Sequence, residues 1–341
     1  MLELPEKNKL SISLVGPGHT SIPPKGWGAV ELLIWNSYQY LTELGHSVHI
    51  INTPSRKEII NTCNSTQSDF IHIHYDRYWD IIPHLKCSSI AITSHNPYTE
   101  QASLVHDTQS WDTDAQFTQA LIYDWVHKGI ISLSKDKRVN IFALSDSIRE
   151  VYIRDGFDPS RVVVIRNSIN CAEFEFNEKP LFPERTIYLG SINKRKRQNI
   201  YNSINDIDFA GDLHDESMMP ENYIGPWSRA EVCQNLTKYP NLALLSEAEA
   251  HPLVCMEALS AGLGLVLSTA STAHLDSNKP FIDIVPPDKI YDLEYVRDTI
   301  KINRQKAVRA RSSIREYAKE FDLKDSMINY DHIIKACVCM Q

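Results

Sequence analysis

NLALLSEAEAHPLVCMEALSAGLGLVLS occupies residues 241–268. An apolar run is followed by a short polar loop, a proline, a second apolar stretch, a glycine and a third apolar run. That order reads as strand, loop, helix, strand, the unit of parallel sheets, whose neighbouring strands need a crossover between them. Proline at position 252 suits the start of the helix, where its missing N–H would be unbonded in any case. Glu249 then lies in the loop at the C-terminal end of the first strand. Glu257 falls one turn inside the helix, on the same face as Leu253. The backbone N–H groups of Leu253 and Val254 open the helix, a place where a diphosphate can dock. One carboxylate at a sugar, amides at phosphates and a second carboxylate at ribose hydroxyls would suit a sugar nucleotide. Two glutamates at this spacing arise about once by chance in a chain of this length. A loop glutamate and a helix glutamate on an exposed face is therefore the competing reading, and the surroundings must decide.

The whole chain narrows the choice. Its 341 residues suffice for two domains with separate cores, and 43% hydrophobic with 23% charged residues is the balance of a globular protein. A net charge of −8 argues against a nucleic-acid partner, which needs a basic surface. The opening MLELPEKNKLSISLV carries charges where a signal peptide needs an apolar core, and no later run spans a bilayer, so a cytoplasmic location is expected. The seven cysteines are odd in number and scattered, apart from Cys337 and Cys339. They fit reduced thiols better than a disulfide framework or a zinc site.

Outward from residues 241–268 the same rhythm continues. Strands are expected at 11–15, 47–51, 70–74, 89–93, 140–144 and 161–165, with helices at 29–44, 76–85, 114–128 and 146–155. The pattern breaks at CAEFEFNEKPLFPE (171–184), read as a linker, and restarts with strands at 185–190, 206–211, 241–246 and 263–268. The fold class is α/β, with two Rossmann-like, doubly wound domains. Such domains in series are expected to set their strand C-termini, and so their ligand loops, around a shared cleft.

SEAEAHPLVCMEALSAGLGLVLS resembles the E-x7-E region of glycosyltransferase family 4, enzymes of the GT-B fold that transfer a sugar with retention from a nucleotide donor. The resemblance implies that Glu249 contacts the transferred sugar and Glu257 the ribose, with His251, Leu253 and Val254 in the donor site. YLGSINKRKRQN (188–199) resembles the family's G-R-L-x-x-x-K-G segment, which makes Gly190 a donor-loop residue and Lys196 the lysine of the donor phosphates. Ser191 stands where the family usually has arginine; Arg195 and Lys194 are the alternatives for that second cation. GPGHTSIPPKGWGAVELLIW follows the first strand, and Gly26, Trp27 and Gly28 stand loosely for the family's Gly-Gly loop facing phosphate and acceptor. ITSHNPY places His95 past a strand, matching the family's histidine beside the donor sugar. FALSDSIREVYIRDGFDPSRVVVIRNSIN resembles the segment leading into the linker, with Ser168 and Asn170 replacing its glycine and aspartate. EFDLKDSMINY resembles the closing helix that crosses back onto the first domain. The implied boundaries are an acceptor-side domain at 1–170, the linker at 171–184, a nucleotide-sugar domain at 185–319 and a closing helix at about 320–341.

The expected activity is retaining transfer of a hexose-type sugar from a UDP- or GDP-linked donor to a hydroxyl of a glycan or lipid-linked acceptor. In it the leaving diphosphate oxygen takes the acceptor's proton, Lys196 stabilises the developing charge and Glu249 orients the sugar; Glu249 as a covalent nucleophile is the less favoured route. Two alternatives stand beside it, a sugar-nucleotide epimerase and a non-catalytic nucleotide-sugar-binding protein. No cofactor and no metal are expected. Asp112 and Asp114 spell a metal-binding D-x-D, but no clear strand leads into them. His72 and His74 share a strand face without an evident third ligand. Residues 301–319 carry seven Lys/Arg against one Glu, read as a solvated helix face, with peripheral membrane contact as the alternative.

Overall fold

The computed structural model describes residues 9–26, 28–97, 99 and 114–339, with 114–122 described by backbone alone. The chain forms two compact units. The first comprises Gly28–Asn167, the chain before it through Pro24 and the C-terminal segment from Asp325; the second comprises Ser168–Lys324 with the short stretch from Lys25.

Six strands build the first unit: β1 (Ser11–Val15), β2 (Ser47–Ile51), β3 (Phe70–Ile73), β4 (Ile90–Ile92), β5 (Val139–Ala143) and β6 (Val162–Val164). They pair in the order β2-β1-β3-β4-β5-β6, parallel throughout. The central strands β3, β4 and β5 are buried along their whole length, so they read as mainly apolar runs, with His72 in β3 and Asn140 in β5 the polar residues taken inside. The crossovers include α1 (Ala29–Glu43), α2 (Arg56–Thr66), α3 (Asp114–Ser132) and α4 (Asp146–Arg154). Two expectations are corrected here. The stretch at 76–85 is a pair of 3₁₀ turns, Asp76–His84, broken by a kink at Tyr78, with Pro83, which has no N–H to donate, in its last turn. Helix α2 was not anticipated, although Ser55 caps it by accepting from the Glu58 amide.

The final helix, α8 (Leu323–Cys339), belongs to this unit from Asp325 onward. His46 explains part of its attachment. Its Nδ1 accepts from the Leu10 amide at 3.0 Å, so Nε2 carries the proton and donates to Asp331 at 2.9 Å.

In the second unit, β7 (Thr186–Leu189), β8 (Ile207–Ala210), β9 (Asn241–Leu244), β10 (Gly264–Ser268) and β11 (Ile282–Val285) pair in parallel in the order β11-β10-β9-β7-β8. Strand β11 was missed in the sequence. Helices α5 (Arg229–Asn235), α6 (Leu253–Ser260) and α7 (Leu293–Ala318) accompany them. All eight residues of α6 are buried, as its nearly uniform apolar sequence requires. Its first residue is Leu253, with Pro252 as the cap in extended backbone, one position earlier than a first-turn proline. Gly262 ends the helix at φ +82°, where a Cβ would also meet the Phe176 ring at 2.7 Å.

Helix α7 corrects the reading of residues 301–319 as a solvated basic face. Arg311 is buried and donates to the carbonyls of Asn177, Tyr239, Thr237 and Ala261. Arg304, also buried, pairs with Asp206 and donates to the Glu184 carbonyl. Lys306 pairs with Asp283 and Lys319 with Glu316, while Arg315 lies over the Phe176 ring. Lys301, Arg309 and the paired Lys319 are the exposed cations of this stretch. Among the described residues no helix is long and apolar enough to cross a membrane.

Candidate functional site

Two loops of the second unit, those after β7 and β9, together with helix α6 carry most of the predicted residues. The two loops are joined through Tyr188, the third residue of β7. Its hydroxyl donates to the Lys196 carbonyl at 2.5 Å and accepts from the Leu245 amide at 2.8 Å, so one buried group fixes both loops. A second tie runs from the Glu247 amide to the Arg195 carbonyl at 2.8 Å. Between Gly190 and Lys196 the chain turns tightly. Asn193 caps the 3₁₀ turn Lys194–Lys196 by accepting from the Lys196 amide, and Gln198 donates to the carbonyls of Gly190 and Ser191.

Gly211 supports this loop from below. A Cβ there would lie 2.0 Å from the Gly190 carbonyl oxygen, and the residue has φ +148°. Gly211→Ala is therefore expected to displace the 190–193 backbone and to cost about 2–3 kcal/mol of stability, read as a lowered urea midpoint.

The structure brings Lys196, Arg195 and Glu249 together. Nζ of Lys196 donates to Oε1 of Glu249 at 2.5 Å, and Nη1 of Arg195 reaches the same oxygen at 3.0 Å and the Ala248 carbonyl at 2.6 Å. Arg195 thus supplies the second cation beside Glu249, while Lys194 is exposed and the Ser191 hydroxyl accepts from Asn193. Burial pushes the Glu249 carboxyl up, but Lys196 and Arg195 outweigh it and hold the group below the usual carboxylate range. Burial draws the Lys196 ammonium down, against the pull of Glu249.

Glu257 is 8% exposed, which removes the alternative of a carboxylate on a solvated helix face. Arg229 opens α5 and pairs with its Oε1. Burial pushes the Glu257 carboxyl up against the pull of Arg229, leaving it above its ordinary value. Leu253 and Val254 form the first turn of α6, and the His251 ring lies 4.9 Å from that of His274. Sequence reasoning had no access to Arg229 or Tyr188, since each acts on residues far along the chain.

In the first unit, His95 follows β4 and stacks on His74 with ring centroids 5.8 Å apart; His74 lies 3.8 Å from His72. Burial lowers the His95 imidazole to about 4, and burial also draws His72 and His74 well below the ordinary histidine value. All three rings are neutral at pH 7. Thr93 donates its proton to the Phe142 carbonyl, so His72 must donate from Nε2 to Thr93 and accept at Nδ1 from Tyr330. Both His72 nitrogens are thereby used in packing, whereas Nε2 of His95 and both nitrogens of His74 are buried without a hydrogen-bond partner among the described residues.

Gly28 caps α1 at φ +151°, where a Cβ would meet Pro24 at 2.9 Å. Gly26 has open space in place of a side chain, so packing does not demand glycine there. Trp27 and Asp112 lie outside the described residues, as does the side chain of Asp114. Among the described residues no group of three or more His, Cys, Asp or Glu is placed to hold a metal ion.

No family model and no curated protein sequence matches the chain. Solved structures do. Sucrose-phosphate synthase from Thermosynechococcus elongatus superposes with a TM-score of 0.71 at 12% identity, covering 97% of this chain and 100% of that one. HepE of Anabaena in complex with UDP-glucose gives a TM-score of 0.67 at 16% identity, covering 96% and 100%. A glycosyltransferase involved in avilamycin A biosynthesis gives 0.64 at 14%, covering 97% and 99%. At such identities the likeness is one of architecture, and the architecture is GT-B: two α/β units, each built on a parallel sheet.

Proposed function

We propose that the chain is a retaining glycosyltransferase that moves a hexose-type sugar from a UDP- or GDP-linked donor to a hydroxyl of a glycan or lipid-linked acceptor, without a metal. The observation that carries this reading is the cluster of Lys196, Arg195 and Glu249 at the ends of β7 and β9, with the α6 N-terminus following directly. Strand C-termini of parallel sheets are where such folds hold ligands.

In this reading the donor diphosphate draws Lys196 and Arg195 partly away from Glu249. The amides of Leu253 and Val254 add the positive end of a helix. Stabilising the leaving diphosphate is then the task of fixed cations, which cost no reorganisation as charge develops. Glu249, relieved of part of its pairing, orients hydroxyls of the transferred sugar, and Glu257 takes the ribose. His95 keeps the role that the resemblance implies, beside the donor sugar. The acceptor's proton passes to the leaving oxygen on the face where the bond breaks. HepE, a structural neighbour, was solved with UDP-glucose, which is in keeping with a nucleotide-sugar donor here. Arg195 beside Glu249 offers a second cation where Ser191 carries none, which favours turnover over the non-catalytic alternative.

A thermal-shift screen against UDP- and GDP-sugars tests the site. A ligand at one hundred times its Kd stabilises the folded chain by about 2.7 kcal/mol, a shift of a few degrees. A parallel donor-hydrolysis assay is expected to release free sugar slowly. Isomerised donor would instead favour the epimerase, and binding without turnover the non-catalytic protein.

A further inference from the structure

Glu257 is the carboxylate assigned to ribose above, and the following inference rests on that reading. Its Oε1 accepts from Nη1 of Arg229, whose Nη2 donates to Oε2 of Glu173 at 2.9 Å. The guanidinium carbon also sits 5.0 Å from the centroid of the Phe174 ring. An arginine fork ordinarily grips one carboxylate with two parallel bonds. Here the fork is divided between two carboxylates, so that Oε2 of Glu257 keeps no partner among the described residues. Nε of Arg229 is buried without a partner among the described residues, whereas Oε2 of Glu257 is not closed off from solvent. A buried ion pair kept only for stability should use Nε, because an unmet buried donor is costly, while Oε2 stands open to a ligand.

We infer that Arg229 is a positioning residue for the nucleotide: clamped by Glu173 and Phe174, it orients Glu257 so that Oε2 receives a ribose hydroxyl. The electrostatics agree. Burial raises the Glu257 carboxyl and Arg229 opposes it, while Glu173 pushes the same way as burial. The thiols of Cys233 and Cys255 are the other titratable groups near it.

Titration calorimetry with UDP, GDP and their 2′,3′-dideoxy counterparts tests this. Wild type is expected to bind one of the two nucleotides and to lose about 10- to 100-fold on removal of the ribose hydroxyls, the range for a hydrogen bond to a charged group. In Arg229→Gln that ratio should fall toward one. Glu173→Gln removes a half-exposed carboxylate, leaves Glu257 paired and should fold normally; its ratio is expected to fall by a smaller factor. Equal weakening of both ligands in Arg229→Gln, or an unchanged ratio in both variants, overturns the positioning role while leaving the donor site standing. A wild type that binds a nucleotide but ignores the ribose hydroxyls removes Glu257 from the ribose and the inference with it. Absence of binding to UDP and GDP alike overturns the donor reading itself.

Discussion

Lys196→Ala is expected to lower kcat/KM by about 10²–10³-fold, the loss typical of a removed charge-stabilising contact. The sequence suggests that folding should be little affected, since the partner of Lys196 would be the ligand. The structure changes that expectation. Lys196 is buried and holds Glu249, so its loss leaves a buried carboxylate with Arg195 as its remaining cation. Breaking a buried pair on one side costs about 3 kcal/mol or more. Activity and stability can still be separated. Adding Glu249→Gln to Lys196→Ala removes the orphaned charge, so the double variant should recover much of the stability and none of the activity. Chemical denaturation and steady-state kinetics on the three variants decide it. A folded Lys196→Ala enzyme with wild-type kinetics would remove Lys196 from the chemistry.

The two glutamates should fail differently. Glu249→Gln is expected to lower kcat by about 10²-fold with donor affinity less affected, because Glu249 acts beside the reacting sugar. Glu257→Gln is expected to raise the donor KM by about tenfold or more at nearly unchanged kcat. The Glu249 variant also carries a pH signature. The folded-state carboxyl lies below its unfolded value, so its stabilisation is present above the ordinary carboxylate range and is lost as the pH falls through the folded value. The stability gap between wild type and Glu249→Gln should therefore be wide at pH 7 and close in acid. Equal rates and affinities in both variants would contradict the assignment of the pair.

Much of the fold was legible because buried parallel strands are written as apolar runs. Strand β11 was passed over, although IDIV has the length and the aspartate of IDFA in β8; its Asp283 is taken up by Asn303 and Lys306. The basic helix was misread through its charge count. Ile300, Arg304, Ala307, Arg311, Ile314 and Ala318 recur at three- and four-residue steps along one stripe of α7, all of them buried. That periodicity outweighs the charges, and the two arginines meet backbone carbonyls there. Lys196, Arg195 and Glu249 could be nominated because each follows a strand that announces itself. Tyr188 and Arg229 could not, because the first contributes one hydroxyl to two distant loops and the second a guanidinium to residues 28 and 56 positions away.

Proton NMR of the donor reaction, followed in real time with and without excess EDTA, addresses the central claim most directly. The account predicts that a UDP- or GDP-hexose is consumed, that the freshly formed product keeps the donor's anomeric configuration, and that EDTA leaves the rate unchanged. An inverted product would require a separate general base, with His95 the first residue to examine. Activity abolished by EDTA and restored by Mg²⁺ or Mn²⁺ would contradict charge stabilisation by Lys196 and Arg195 alone and return attention to Asp112 and Asp114.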